Sequence, residues 1–211
     1  MSTSLPALPA FRSRVVPVVV LQDAAHAVPL AQALLAGGID VIEITLRTPC
    51  ALEAIAAVAR EVPDMQVGAG TLLGADDVRR AQDAGARFGL SPGHSPALLR
   101  AVAEAGLPFV PGVMTPGEVM AAREAGYRLM KLFPATVAGG LDMLKALASP
   151  FGDVRFCPTG GVSLDNLGGF LKQPNVALVG GSWLAPAAAL QAGDWAQITT
   201  LARQAMALSA G

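Results

Sequence analysis

The sequence predicts an α/β chain folded as a single (β/α)8 TIM barrel over residues 1–211. Three observations lead there. Eight short apolar runs recur, near residues 15–21, 40–46, 66–70, 87–91, 108–112, 128–133, 154–158 and 176–180. Alanine-rich stretches of helical pattern separate them. The runs are nearly continuous in apolar residues, as parallel strands covered on both faces should be. Eight strand–helix alternations in one domain favour a closed barrel over an open sheet. A doubly wound sheet fits the same composition and stands as the alternative.

The junctions repeat as well. Ala84-Gly85-Ala86-Arg87-Phe88, Ala105-Gly106-Leu107-Pro108-Phe109 and Ala125-Gly126-Tyr127-Arg128-Leu129 each follow a helical pattern and open an apolar run. Glycine there suits the left-handed position that stops a helix. The three glycines lie 21 and 20 residues apart, the length of a minimal helix-plus-strand unit. Ala36-Gly37-Gly38 precedes Val41-Ile42-Glu43-Ile44 in the same manner.

Composition limits the function classes. Apolar residues make up 53% of the chain and charged residues 15%, which is a globular balance. The net charge is -1 and no basic run occurs, which argues against nucleic-acid or membrane-surface partners. Val15–Leu21, the longest apolar stretch, is too short to span a bilayer, and MSTSLPALPAFRSR lacks the apolar region of a secretory signal. Cys50 and Cys157 are far apart and in no metal-ligand spacing, so a reduced cytoplasmic protein without a metal site is expected. His26 and His94 stand alone.

In a barrel of this kind the site lies at the C-terminal ends of the strands, so polar residues there carry the most weight. The chain has three lysines, Lys131, Lys145 and Lys172. The last two sit in helical patterns with polar neighbours. Lys131 lies inside Leu129-Met130-Lys131-Leu132-Phe133, where burying an ammonium is costly unless it is paired or its pKa falls. A lowered pKa would free the amine to attack a carbonyl. The alternative is a structural lysine, snorkelling or ion-paired at a strand end.

Glu43 interrupts Val41-Ile42-Glu43-Ile44 in the same way. By alternation Glu43, Thr45 and Arg47 share a face, with Glu43 and Arg47 roughly 13 Å apart on a straight strand at ~3.3 Å per residue. A site lined by both charges and a purely structural Glu43–Lys131 pair each satisfy this pattern. A buried pair adds little net stability, which favours function.

Glycine-rich exits follow the third strand (Gly68-Ala69-Gly70-Thr71), the seventh (Pro158-Thr159-Gly160-Gly161) and the eighth (Gly180-Gly181-Ser182). Turns alone want glycine, but loops after strands seven and eight are the usual phosphate site of this barrel, and successive N–H groups can cradle an anion. Ser91-Pro92-Gly93, at the fourth exit, is read as shaping the pocket floor. Cys157 is read as a core residue, and the methionines as packing.

These segments resemble the bacterial 2-keto-3-deoxy-6-phosphogluconate (KDPG) aldolases, which often also act on 2-keto-4-hydroxyglutarate (KHG). The matching stretches are Val41–Thr48, Gly68–Thr71, Ser91–Gly93, Lys131–Ala135, Arg155–Gly161 and Gly180–Leu184, nearly the full length. The resemblance implies a class I, metal-free and cofactor-free lyase assembled as a homotrimer, acting on a small-molecule substrate and yielding pyruvate, with a place in the Entner–Doudoroff pathway. It implies a Schiff-base lysine at Lys131, an acid/base glutamate at Glu43 and carboxylate contacts at Arg47 and Thr71. It also implies substrate contacts at Thr159, Gly160, Gly161, Gly181 and Ser182. One departure is visible: the first strand ends in Leu21-Gln22-Asp23, where many relatives carry a base. A phosphosugar isomerase with Glu43 as base and a non-catalytic phosphosugar-binding protein remain the alternatives from fold alone.

Overall fold

The computed structural model describes residues 5–209. Of the expected 1–211 domain, residues 1–4 and 210–211 lie outside this range. The strands are β1 (Val15–Val19), β2 (Val41–Thr45), β3 (Gln66–Gly70), β4 (Phe88–Leu90), β5 (Phe109–Val110), β6 (Gly112–Val113), β7 (Leu129–Leu132), β8 (Arg155–Phe156) and β9 (Val179–Gly181). Helices α1 (Ala27–Ala36), α2 (Ala51–Glu61), α3 (Ala75–Asp83), α4 (Pro96–Ala105), α5 (Pro116–Glu124), α6 (Gly140–Ala148), α7 (Leu164–Leu171) and α8 (Ala187–Ala192) alternate with them, and α9 (Trp195–Ser209) closes the chain.

All pairings are parallel. Strands β5-β4-β3-β2-β1-β9 form one ladder in that order and β6-β7-β8 the other. The two meet at both edges. At one, only Pro111 separates β5 from β6, and its carbonyl accepts the Lys131 N–H at 2.8 Å. At the other, bridges Phe156↔Val176 and Thr159↔Gly180 join β8 to the approach of β9. The strands therefore succeed one another round a (β/α)8 barrel in chain order. This excludes the doubly wound alternative, whose strand order reverses at a switch point.

The expected fifth strand, 108–112, is broken because Pro111 has no N–H to give to a ladder. As a result the expected seventh and eighth strands are β8 and β9. Their regular pairing is shorter than the apolar runs, and residues 157–159 and 176–178 continue it only through isolated contacts. The first run also overreaches, since β1 ends at Val19 rather than at residue 21.

Burial explains why the runs lack alternation. Every residue of β1 and β2 is buried, the inward set inside the barrel and the outward set under the helices. Each Val or Ile so buried contributes roughly 1.5–3 kcal/mol relative to exposure. The recurring glycines behave as their position suggests: Gly85, Gly106 and Gly126 all have positive φ (89°, 65° and 100°). Sequence-local caps start the helices that follow the site loops. Ser95 accepts the Leu98 N–H ahead of Pro96, and Thr115 forms a capping box with Glu118 ahead of Pro116.

The N-terminal arm is fastened beneath the barrel. The Asp40 carboxylate, 6% exposed, accepts from the Arg12 and Ser13 backbone N–H groups at 2.9–3.1 Å and from Arg12 Nε at 3.2 Å. Burial pushes this carboxyl up, but those hydrogen bonds outweigh it and hold the group below the ordinary aspartate value.

Candidate active site

Strand register decides which side chains face inward. Val18 pairs with Glu43, Glu43 with Gly68, and Gly68 with Phe88, while Gly112 pairs with Lys131. Paired residues of parallel strands point to the same side. Glu43 on β2 and Lys131 on β7 meet across the barrel, so that side is the interior. Lys131 Nζ donates to Glu43 Oε1 at 2.7 Å and to Oε2 at 3.0 Å, with the two residues 3% and 1% exposed. The Phe133 ring lies with its centroid 5.7 Å from the same nitrogen. The structure thus joins the two anomalous charges of the sequence in one buried contact, separated by 88 residues of chain.

Glycine makes room for it. A Cβ added at Gly70 would run into Glu43 Oε1, and one at Gly180 would meet the Thr159 side chain. A Cβ at Gly112 would strike the backbone of Pro92, so the Ser91-Pro92-Gly93 loop leans over the strand next to Lys131. The sequence marked Gly68–Gly70 as one of three glycine-rich exits; in the structure Gly70 makes room for the Glu43 side chain. Nothing local marked Gly112 as a site residue, because its role depends on pairing with Lys131 nineteen residues later.

Arg47 departs from the face expected for it. β2 ends at Thr45, whose hydroxyl donates to the Val19 carbonyl at 2.9 Å, and Arg47 N then turns back to the Thr45 carbonyl at 2.8 Å. Alternation therefore does not extend to Arg47. Its exposed side chain crosses instead to the next exit, with Nε 3.2 Å from Thr71 Oγ1. Thr71 has φ 63°, alone among the described non-glycine residues in being positive. For a β-branched residue this is an outlier costing roughly 1–3 kcal/mol, which concentrates at functional loops.

The glycine loop after β8 is stitched to the loop after β7. Ala135 N donates to the Thr159 carbonyl at 2.8 Å, and Thr136 reaches the Gly160 carbonyl with its N–H at 3.1 Å and its hydroxyl at 3.3 Å. Gly160 and Gly161 both have positive φ (97° and 77°), and Asn166 Nδ2 holds the Gly161 carbonyl at 3.1 Å. Among the described residues, the N–H groups of Gly160 and Gly161 donate to no protein acceptor. Thr159 is buried and faces inward opposite Gly180. Gly181 points outward, with the Trp183 ring against it, and Ser182 is exposed at the exit. Donors at strand exits seven and eight of this fold are well placed for an anion.

Burial pushes the Cys157 thiol up to about 11, so it stays protonated at neutral pH and suits the core role read for it. Among the described residues, no three His, Cys, Asp or Glu side chains gather as a metal-ligand set. No described helix is long and apolar enough to cross a membrane.

A parallel barrel holding a buried amine–carboxylate pair, with free backbone donors at its last exits, defines a protein built for chemistry on a small anionic carbonyl compound. Comparison with known proteins gives the family. The family model for KDPG and KHG aldolase matches residues 10–201. A 2-dehydro-3-deoxy-phosphogluconate aldolase of Dickeya dadantii is 51% identical over 193 residues, 92% of this chain and 91% of that protein. The KHG/KDPG aldolase of Escherichia coli K12 is 50% identical over 192 residues, 91% of this chain and 90% of the relative. Among solved structures, KDPG aldolase from Legionella pneumophila superposes with a TM-score of 0.89 at 44% identity, covering 90% of this chain and 93% of that one. That crystal structure holds pyruvate captured at low pH as a covalent carbinolamine intermediate. The chain belongs to the KDPG and KHG aldolase family.

Proposed function

We propose that this chain is a class I aldolase that cleaves 2-keto-3-deoxy-6-phosphogluconate reversibly to pyruvate and glyceraldehyde 3-phosphate, and also cleaves 2-keto-4-hydroxyglutarate to pyruvate and glyoxylate. The observation that carries this reading is the buried contact of Lys131 Nζ with both Glu43 oxygens at 2.7 and 3.0 Å. Moving one proton across that contact leaves a neutral amine beside a carboxylic acid. The amine adds to the C2 ketone, and Glu43 supplies the proton that lets the carbinolamine lose water. The resulting iminium is the electron sink. Glu43, again a carboxylate, takes the C4 hydroxyl proton directly or through water. The C3–C4 bond then breaks, its electrons enter the iminium, and the aldehyde leaves. Protonation of the enamine at C3 and hydrolysis release pyruvate and restore Lys131.

Arg47, steadied by Thr71, is suited to the substrate carboxylate, because a guanidinium binds it through two parallel hydrogen bonds. Thr159 faces the same chamber. The Gly160, Gly161 and Gly181 backbone and the Ser182 hydroxyl are assigned to the phosphate. No cofactor or metal enters this scheme. The working unit we assign is one barrel over residues 1–211, assembled as a homotrimer in the cytoplasm and serving the Entner–Doudoroff pathway. Its partners are the substrate and pyruvate, with no nucleic acid or membrane.

Treatment with pyruvate and borohydride tests the central step. Irreversible inactivation with one pyruvate-derived mass on Lys131 is the expected result. Labelling at Lys145 or Lys172 instead overturns the assignment.

A further inference from the structure

The loop Ser91–His94, between β4 and α4, leans into the barrel at one place. Gly112 and Lys131 are register partners on adjacent strands, so the side-chain direction at position 112 is that of Lys131. That space is filled by the backbone of the loop, where an added Cβ would meet the Pro92 carbonyl group and the Gly93 nitrogen. The loop therefore walls the chamber one strand away from the amine.

Two side chains clasp this wall to β6, and both hold the same residue. Ser91 Oγ, fully buried, accepts the Gly112 N–H at 3.3 Å. His94 Nδ1 lies 2.8 Å from the Gly112 carbonyl oxygen. A carbonyl oxygen only accepts, so Nδ1 carries the proton and donates. Both polar groups of one peptide residue are thus taken by the loop rather than by a strand ladder. His94 is half-buried at the strand-exit end of a 660 Å³ groove between α4 and α5. It makes no hydrogen bond to Lys131 or Glu43, so it does not act on the reacting atoms itself.

We propose that His94 is a positioning residue for the aldol reaction: by donating from Nδ1 to the Gly112 carbonyl it fixes the Pro92–Gly93 backbone as the wall against which the pyruvyl part of the substrate is held beside Lys131. The proposal rests on the aldolase reading above. Gly93 is exposed and lacks a side chain to pack, so the segment depends on its two end clasps for its shape. Releasing one clasp widens the chamber and costs binding of the substrate in its reactive pose more than it costs folding.

The test compares His94→Leu with His94→Asn. Leucine keeps apolar bulk and loses the donor. The asparagine amide nitrogen is the same two bonds beyond Cβ as Nδ1, so it can remake the hydrogen bond. Two measurements are taken on each protein: hydrogen exchange of residues 91–95 without ligand, and KM and kcat for 2-keto-3-deoxy-6-phosphogluconate with pyruvate trapping by borohydride. In the leucine variant we expect exchange to quicken, and KM to rise, each by about 2- to 10-fold, the range set by one hydrogen bond. In that variant kcat and the melting temperature change less, and the asparagine variant returns near wild type on both measurements. Unchanged exchange in the leucine variant overturns the clasp. Faster exchange with unchanged KM overturns the wall. Equal damage in the two variants means that the ring, not the donor, matters, and also overturns the proposal. If the wild-type protein forms no imine with pyruvate, the aldolase reading fails and the catalytic role goes with it, while exchange still decides separately whether His94 holds the loop.

Discussion

Replacing Gly70 with alanine tests whether the Glu43 carboxylate is held by space as well as by charge. Gly70 pairs with Thr45 and faces into the barrel, one inward position beyond Glu43. The added methyl would overlap Glu43 Oε1 and stand 2.7 Å from its Cγ and 2.8 Å from its Cδ. The carboxylate cannot simply swing away, because both of its oxygens are engaged by Lys131. Overpacking of this kind costs about 1–3 kcal/mol, and at ~2–4 °C per kcal/mol for a domain of this size the melting temperature should fall by roughly 2–12 °C. Activity should fall further, since an ångström of misplacement at reacting groups can cost on the order of 10²-fold. Thermal unfolding and steady-state kinetics measure both effects. Glu43→Ala supplies the control for stability, because it removes the Cγ, Cδ and Oε1 atoms that the new methyl would meet. Adding Gly70→Ala to that background should cost less than it does in the wild type, a coupling of about 0.5 kcal/mol or more. Strictly additive losses would refute the argument, as would a Gly70→Ala protein with native stability and turnover.

Three further outcomes follow from the same geometry. Glu43→Gln should still bind pyruvate but turn over about 10²-fold or more slowly, since the amide keeps the shape and loses the proton relay; near-normal kcat would make Glu43 only a structural partner of Lys131. Gly161→Val puts bulk where the Thr136 hydroxyl stands and where φ is 77°, so it should raise KM for the phosphorylated substrate well above its effect on 2-keto-4-hydroxyglutarate. With folding checked by circular dichroism, equal losses on the two substrates would place the phosphate elsewhere. Asp40→Asn should lower stability at neutral pH by about 1.5–3 kcal/mol, the scale of a hydrogen bond to a charged group. The Asp40 pKa is depressed on folding, so its contribution is present above the unfolded value and is lost as pH falls through the folded one. The gap between wild type and variant in urea melts should therefore close on acidification below about pH 4, and a gap independent of pH would sink this account.

What could be read from sequence depended on whether the signal was local. The barrel was legible because each unit carries its own punctuation: an apolar run, a helical stretch and a stopping glycine such as Gly106 or Gly126, all within some twenty residues. Lys131 and Glu43 were legible as charges in apolar strands, but their contact was not, since distance across the barrel is set by closure and not by spacing along the chain. Strand limits were overread at Pro111 and after Val19, where apolar character continues past the end of the hydrogen-bond ladder. Arg47 was placed by an alternation that stops at Thr45. His94 stood in sequence as an isolated histidine, and its link to Gly112 appears only once the β4–α4 loop is brought onto β6.

Two buried carboxylates show why the pair reads as chemistry rather than as scaffold. Asp40 has an evident structural task. It gathers three donors of the N-terminal arm, and its partner Arg12 is largely in water, with a side chain 73% exposed. Only one charge of that bridge is withdrawn from solvent, and backbone N–H groups that need acceptors compensate it. Glu43 and Lys131 satisfy no such need. Both charges are removed from water, and neither side chain fastens a loop or caps a helix. The desolvation of such a pair offsets most of its mutual attraction, and apolar side chains of similar volume would stabilise the barrel as well or better. Glycines at positions 70 and 112 accompany the pair, because a side chain at the first would collide with Glu43 and one at the second with the Pro92–Gly93 backbone beside Lys131. A buried amine with a carboxylate in contact with it, flanked by positions that only glycine fits, is an arrangement that folding alone does not require. Under the proposed function, the desolvation cost is accounted for by the carbonyl substrate with which the pair reacts.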